Sequence, residues 1–119
     1  MRRLEGEQFL MRIFIGESDK FEGRPLYEWL TRKARSDGLA GATVIRGLMG
    51  YGANSRIHGS TILRLSLDQP IIVEIIDRPE KVEAFLSTIG EAVKEGLITM
   101  EKATIRFYKP ANQGGETVT

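Results

Sequence analysis

The residues best suited to chemistry lie in one short segment, residues 47–59, which reads GLMGYGANSRIHG. The segment contains four glycines, an arginine and His58, the only histidine of the chain. Three of these glycines fall within six positions, between two strand-like runs, which indicates a loop that bends sharply or approaches something closely. Exposed backbone amides beside an arginine are the donors that a phosphate group needs. The alternative is a long surface loop with an ordinary glycine-rich base.

Anion recognition is the chemistry that this segment and its surroundings favour. No poised general base accompanies the donors, so the pattern is more typical of a ligand-sensing loop than of a catalyst. The candidate donors are Arg46, the amides of Gly50 and Gly52, Asn54, Ser55 and Arg56, with Arg106 joining from the last strand of the same or an adjacent subunit.

Other kinds of site are poorly supported by the residues. The chain has no cysteine, which excludes disulfides, thiolate metal sites and cysteine nucleophiles. His58 has no neighbouring ligand at metal-binding spacing, so no metal or cofactor is expected. The nucleophile elbow G-x-S-x-G, the P-loop and the dinucleotide G-x-G-x-x-G are all missing from the sequence.

Composition bounds the class of protein. The 119 residues predict a single domain, with a core over about residues 8–108 and a polar tail at 110–119 that frays. The 17 basic and 16 acidic residues give a net charge of +1, and the basic ones are spread along the chain, so nucleic acid is not an expected partner. We find no signal peptide and no apolar run of about 20 residues, and therefore expect a cytoplasmic protein.

Hydrophobic patterns predict alternating strands and helices. An amphipathic helix begins near Pro25 and ends at Gly38, and a second begins around Asp77 to Pro79 and continues to Gly96. Between the second and third strands, residues 60–67 are interpreted as a short strand or an extended arm of the loop. The predicted strands are Phe9 to Ile15, Ala42 to Met49, Ile71 to Ile76 and Leu97 to Tyr108.

This order predicts the α+β, ferredoxin-like split βαβ fold, with an antiparallel sheet and both helices on one face. The first and third strands are apolar on both faces, and the third is expected to be covered on both. The sheet face away from the helices is then too apolar for water in a monomer. We therefore expect a homo-oligomer that associates through the sheet, for which a cyclic trimer is one closed solution.

Four runs together resemble the DUF190 family, also called UPF0166, a family of small PII-like proteins. The resemblance covers roughly residues 8–108. It is carried by the sequences PLYEWL at 25–30, GLAGATVIRG at 38–47, GYGANSRIH at 50–58 and PIIVEIID at 70–77.

The resemblance implies a trimeric, non-enzymatic signalling protein that binds an adenine nucleotide in clefts between subunits. Residues 50–52 resemble the base of the long T-loop of PII proteins, residues 53–67 resemble its body, and the loop is expected to contact a partner protein. In some relatives that partner is a membrane transporter or channel. The resemblance places the amides of Gly50 and Gly52, together with Asn54, Ser55 and Arg56, near the nucleotide.

Two departures from the better-known PII proteins bear on the ligand. Their Gly- and Lys-rich phosphate loop before the last strand is reduced here to KEGLI, residues 94–98, which includes Gly96. Arg106 matches the basic position of their last strand only within one residue. AMP or ADP is therefore expected in preference to ATP.

Two other functions are retained as alternatives. One is a CutA-like or purely structural trimer that binds partners through the loop and has no ligand. The other is an acylphosphatase-type enzyme, which shares the ferredoxin-like fold and uses an Arg and an Asn. Its Arg-bearing phosphate loop should follow the first strand, where residues 16–19 read GESD and carry acids instead.

Overall fold

The computed structural model of the chain describes residues 4–51 and 69–110. The elements within these ranges are β1 (Gly6–Gly16), β2 (Lys20–Phe21), β3 (Arg24–Pro25), α1 (Leu26–Ser36), β4 (Ala42–Arg46), β5 (Pro70–Asp77), α2 (Pro79–Ile89) and β6 (Leu97–Ile105). Four of the strands form one antiparallel sheet in the order β4-β5-β1-β6. The predicted ferredoxin-like α+β fold is confirmed.

The helices cover one face of the sheet. Along β5, Ile71, Val73 and Ile75 are buried while the residues between them are half-buried, so a single chain covers this strand fully on one face and not on both. Burial alternates in the same way along β1, where Met11 and Ile13 are fully buried. The core between sheet and helices also contains Leu26, Leu30 and Ala34 of α1 and Val82, Phe85 and Ile89 of α2.

The opposite, open face of the sheet carries two distinct rows of side chains. In the register of the strands, Ile45, Ile72, Phe14 and Leu97 lie side by side and form an apolar row. The next row contains Thr43, Glu74, Arg12 and Thr99.

Arg12 is the centre of that second row. Its Nε donates to Glu74 Oε2 at 2.8 Å, and its Nη1 lies 3.6 Å from Glu101 Oε1. The hydrogen bond to Glu74 raises the pKa of the Arg12 guanidinium, and desolvation opposes this rise. The charges of Glu101 and Glu74 add to the rise in pKa. We name the row of Ile45, Ile72, Phe14 and Leu97 the isoleucine row. We name the row of Thr43, Glu74, Arg12 and Thr99 the ionic row.

Helix α2 ends earlier than predicted. The helix ends at Ile89 with Gly90 as its C-cap, so the expectation that it continues to Gly96 is wrong. A turn follows, in which the amides of Ala92 and Val93 donate to the Ile89 carbonyl at 3.0 and 3.2 Å. Ala92 is buried and Val93 packs on the core. The helical spacing of these apolar residues therefore reflects burial of a turn and not further helix.

Two strands are shorter than predicted. The Gly47 amide still donates to the Pro70 carbonyl at 2.7 Å, but Leu48 and Met49 are 93% and 67% exposed, so β4 ends at Arg46 and not at Met49. Strand β6 ends at Ile105 and not at Tyr108, because Ile105 pairs with Gly6, where β1 begins.

A small hairpin that the sequence did not predict precedes α1. Strands β2 and β3 are joined by Glu22 and Gly23, whose φ values of 52° and 80° are those of the tight turn that suits two-residue hairpins. Phe21 of this hairpin meets Trp29 of α1 edge to face, with ring centroids 4.7 Å apart. The hairpin thereby covers the indole, which packs partly against the core as its helical spacing indicated.

Candidate functional site

The predicted anion site lies at one end of the sheet, which we name the loop-base end. Here β1 finishes at Gly16, β4 finishes at Arg46 and β5 begins at Pro70. The register brings them together, because Gly16 pairs with Pro70 and Arg46 pairs with Ile71. The end of β4 and the start of β5 therefore lie side by side.

Glu17 links the three strand ends. Its Oε1 accepts from Arg46 Nε at 3.2 Å and lies 3.1 Å from Arg46 Nη2. The same oxygen accepts from the Gln69 amide at 3.3 Å, while the Glu17 amide donates to the Gln69 carbonyl at 2.9 Å. One carboxylate oxygen thus joins the end of β4 to the start of β5.

The glycines beside Arg46 have a packing role. A Cβ at Gly47 would lie 2.7 Å from Cγ of Pro70, and a Cβ at Gly50 would lie 3.2 Å from the same atom. Glycine is needed at Gly47 because the proline ring occupies the space that a side chain would fill. Packing on Pro70 therefore explains why both positions are glycine without any ligand. Because Gly50 has no side chain, nothing of its own covers its backbone amide.

Gly96 lies at the same end of the sheet but on the opposite edge. Its φ is 149°, and a Cβ would lie 2.5 Å from the Phe14 carbonyl oxygen. Glycine is therefore required for the entry into β6. Strands β5 and β1 separate the β6 edge from the β4 edge, and three strand spacings amount to about 14 Å.

Arg106 lies far from the other candidates within one chain. It follows Ile105, which pairs with Gly6 at the start of β1, whereas Arg46 lies level with the end of that strand. A strand of 11 residues spans about 35 Å. The structure thus keeps Arg46 and Gly50 at the same end of the sheet, places Gly96 across the sheet, and puts Arg106 at its other end.

The remaining predicted residues lie outside the described ranges. They are Gly52, Asn54, Ser55 and Arg56, together with His58 and the arm at residues 60–67. Within residues 4–51 and 69–110, no group of three His, Cys, Asp or Glu side chains converges to hold a metal ion. In the same ranges, no helix is long and apolar enough to cross a membrane.

A second carboxylate occupies the far end of the sheet. Asp77 is fully buried, and its Oδ2 accepts from the Ala40 amide at 2.8 Å while its Oδ1 accepts from the Arg78 amide at 2.7 Å. It therefore holds the connection between α1 and β4 against the start of α2. This is a structural role, because the carboxylate is enclosed and hydrogen-bonded on both oxygens.

Two cations at the basic end of α1 are already paired with acids. Arg32 Nε donates to Glu28 Oε2 at 3.0 Å, and Lys33 Nζ donates to Asp37 Oδ2 at 2.9 Å. Both cations are paired one helical turn away along the same helix. They are best explained as stabilising a solvated helix surface.

Sequence reasoning missed Glu17 as a site residue. In the sequence, the acids after β1 argue only against a phosphate loop at that position. The predicted topology nevertheless contained a usable signal, because antiparallel pairing of the first and third strands places the residue after β1 beside the start of β5. A charge at that point must lie close to the end of the neighbouring strand β4.

Known proteins resemble this chain in sequence and in fold. The profile of the DUF190 family, described as an uncharacterized ACR, matches residues 8–105. A UPF0166 protein of Aquifex aeolicus is 42% identical over 98 residues, which cover 82% of this chain and 92% of the relative. A UPF0166 protein of Methanocaldococcus jannaschii is 36% identical over 90 residues, covering 75% of this chain and 82% of the relative.

Two solved structures of CPII from Thiomonas intermedia K12 share the fold. One, bound to ADP, AMP and acetate, superposes with a TM-score of 0.60 at 16% identity, covering 84% of this chain and 89% of the other. The second, bound to ADP and bicarbonate, gives a TM-score of 0.61 at 18% identity, with coverages of 83% and 88%. The match over residues 8–105 and the two UPF0166 relatives show that this chain belongs to the DUF190 family.

Proposed function

We propose that this chain is a PII-like regulatory protein that binds an adenine nucleotide, AMP or ADP in preference to ATP, in clefts between the subunits of a homotrimer. The observation that carries the proposal is the fold that the chain shares with CPII, whose solved structures hold ADP and AMP. Arg46 and the backbone at Gly50 are the groups that receive the phosphate.

The position of the predicted residues supports a cleft between subunits. Arg46 and Gly50 follow the β4 edge of the sheet, and Gly96 precedes the β6 edge, about 14 Å away. A second subunit that brings its β6 edge beside the β4 edge of the first closes this gap. The residues then surround one ligand without any change in the fold of either chain.

The open face of the sheet supports assembly through that face. The isoleucine row crosses all four strands, and Ile45 and Leu97 at its two ends are 40% and 57% exposed in the single chain. Burying such a row against a second copy is favourable at about 25 cal/mol per Å² of apolar surface. Closed symmetry then limits the assembly to a ring, and the trimer is the ring that we propose.

The residues between α2 and β6 support a nucleotide ligand with one or two phosphates. Residues 94–98 read KEGLI, so Lys94 is the only cation next to Gly96, and Glu95 lies beside it. One lysine with an adjacent acid is poorly suited to the charge of a triphosphate. AMP and ADP carry less charge and fit this environment better.

We infer that the protein acts by binding and not by catalysis, in the cytoplasm, and that the segment after β4 contacts a partner protein, for which a membrane transporter or channel is one candidate. Leu48, Met49 and Tyr51 are 93%, 67% and 72% exposed at the start of that segment. Three large apolar side chains exposed so close together are typical of an interaction surface.

Calorimetry with AMP, ADP and ATP, on protein whose mass is measured by light scattering, tests the proposal. We expect a trimer that binds AMP and ADP more tightly than ATP. Arg46→Ala should weaken AMP binding by about tenfold or more, since a hydrogen bond to a charged group is worth about 1.5 to 3 kcal/mol. Arg32→Ala, which removes an exposed arginine from α1, is the matched control and should bind normally. A trimer that binds none of the three nucleotides would refute the proposal.

A ligand-free interaction protein, CutA-like or purely structural, is the second candidate. It is favoured by the glycine contacts, because packing on Pro70 and on the Phe14 carbonyl explains Gly47, Gly50 and Gly96 without any nucleotide. Protease sensitivity of the segment after β4 that is identical with and without nucleotide would support it. An acylphosphatase activity is disfavoured by the engagement of Glu17 with Arg46, and an acyl phosphate turnover assay tests it directly.

A further inference from the structure

Glu17 occupies the guanidinium face that a ligand anion would use. Both Nε and Nη2 of Arg46 lie within 3.2 Å of Glu17 Oε1, so the arginine already faces a negative charge. A phosphate that bonds to these two nitrogens must therefore take the place of the carboxylate. Two anions at one guanidinium repel each other unless one of them leaves.

The contact has the properties of one that can be exchanged. The Arg46 side chain is 56% exposed and that of Glu17 is 26% exposed, so water reaches both partners. Ion pairs of this kind contribute little to stability. A phosphoryl group carries more charge and three acceptor oxygens, and it forms stronger hydrogen bonds to a guanidinium than a carboxylate held by one oxygen.

We propose that Glu17 is a specificity-determining residue of the anion site, whose carboxylate holds Arg46 in the ligand-free chain and is replaced there by the phosphoryl group of the ligand. The inference rests on the proposed function, because Glu17 would determine which ligand charge the proposed nucleotide site accepts. Weak anions with a single charge do not displace the carboxylate, whereas a doubly charged phosphoryl group does.

The replacement also reaches the start of β5. Glu17 Oε1 accepts from the Gln69 amide at 3.3 Å, and this bond is lost when the carboxylate moves away. Gln69 is 9% exposed, and its side-chain Oε1 finds no hydrogen-bond donor within the described part of the chain. Loss of the bond from Glu17 removes an acceptor of the Gln69 amide, so the start of β5 becomes measurably less protected. The Glu17 amide continues to donate to the Gln69 carbonyl at 2.9 Å, which keeps the strand in place.

The conservative variant Glu17→Gln tests the exchange. Glutamine keeps an acceptor for the Gln69 amide but removes the charge that competes with the ligand. We expect calorimetry to show AMP binding about tenfold tighter than in the wild type, because no charged side chain then competes with the phosphoryl group for Arg46. Adenosine, which has no phosphoryl group, should bind both proteins equally. Glu28→Gln, which removes the same charge from the exposed pair with Arg32 on α1, should bind AMP within about twofold of the wild type.

Amide exchange followed by NMR on the wild-type trimer supplies a second measurement. At saturating AMP, exchange at Gln69 should accelerate several-fold, while exchange at Gly47, whose amide donates to the Pro70 carbonyl, stays constant. AMP affinity that is equal or weaker in Glu17→Gln, or unchanged exchange at Gln69 in the AMP complex, would overturn this inference and leave the proposed function intact. Failure of both proteins to bind any nucleotide would overturn the two together.

Discussion

Asp77 and Glu17 are carboxylates at opposite ends of one sheet, and each joins segments that are distant in sequence. Asp77 is fully buried and accepts two backbone hydrogen bonds of 2.7 and 2.8 Å. The Glu17 side chain is 26% exposed, and its contacts with Arg46 and Gln69 are between 3.1 and 3.3 Å. The carboxylate of Asp77 therefore makes lasting hydrogen bonds because water is excluded. The carboxylate of Glu17 makes an exchangeable contact because water reaches it.

The largest effect on the free energy of unfolding should come from removing the carboxylate of Asp77. Asp77→Ala removes the acceptor of two part-buried hydrogen bonds, from the Ala40 amide and from the Arg78 amide. We expect the free energy of unfolding to fall by about 3 to 4 kcal/mol, since each unsatisfied group costs about 1 to 3 kcal/mol. Chemical denaturation monitored by circular dichroism measures the change. Asp77→Asn, which keeps one acceptor oxygen, should lose clearly less, and an equal loss in both variants would contradict the role given to the second oxygen.

Gly96 sharpens the comparison, because it is tightly packed and lies at the same end of the sheet as Glu17, the loop-base end. Gly96→Ala places a Cβ 2.5 Å from the Phe14 carbonyl oxygen at a φ of 149°. We expect a loss of about 2 to 3 kcal/mol from backbone strain and overlap.

Gly90 is the matched control for that substitution. It has helical φ, and no atom lies within 4 Å of an added Cβ, so Gly90→Ala should be neutral or stabilise the protein by about 0.4 to 1 kcal/mol. Urea denaturation of both variants provides the comparison. Equal losses at the two glycines would show that glycine is not specifically required at the entry into β6.

The smallest effect is expected at the exposed pair itself. A double-mutant cycle with Glu17→Ala and Arg46→Ala, measured by denaturation without ligand, should give a coupling of about 0.2 to 1 kcal/mol, as is usual for exposed ion pairs. The coupling should shrink further in 1 M salt, where the screening length is about 3 Å. A coupling as large as the effect of Asp77→Ala would mean that the two carboxylates do not differ in the way described.

The fold could be predicted largely from the sequence because its strands and α1 bury regular apolar patterns. The run IIVEII predicts β5 because its β-branched residues favour a strand, and the spacing of Leu26, Leu30 and Ala34 predicts α1 because it places them on one buried face. The predicted end of α2 is wrong because apolar residues at helical spacing are buried there in a turn and not in a helix. Val93 lies at helical spacing from Ile89 and packs on the core but belongs to a turn, so its position predicts too long an α2.

The site could be predicted less well because glycine is ambiguous in a sequence. Gly47 and Gly96 are required by contacts with Pro70 and with the Phe14 carbonyl, and neither contact can be read from the neighbouring residues. The pairing of Glu17 with Arg46 connects positions 29 residues apart and depends on the register of three strands. A tertiary contact of this kind follows from topology and not from a local motif.

The ionic row on the open face has a consequence for what can lie against it. An unbroken apolar sheet would accept many apolar surfaces in many alignments, because hydrophobic contact is not directional. Here Arg12, with Glu74 and Glu101, interrupts the apolar surface next to the isoleucine row. A covering surface that slides by two residues along the strands, about 7 Å, sets apolar side chains over these charges and removes their water without compensation. The face therefore discriminates against foreign apolar surfaces and against misaligned copies of itself.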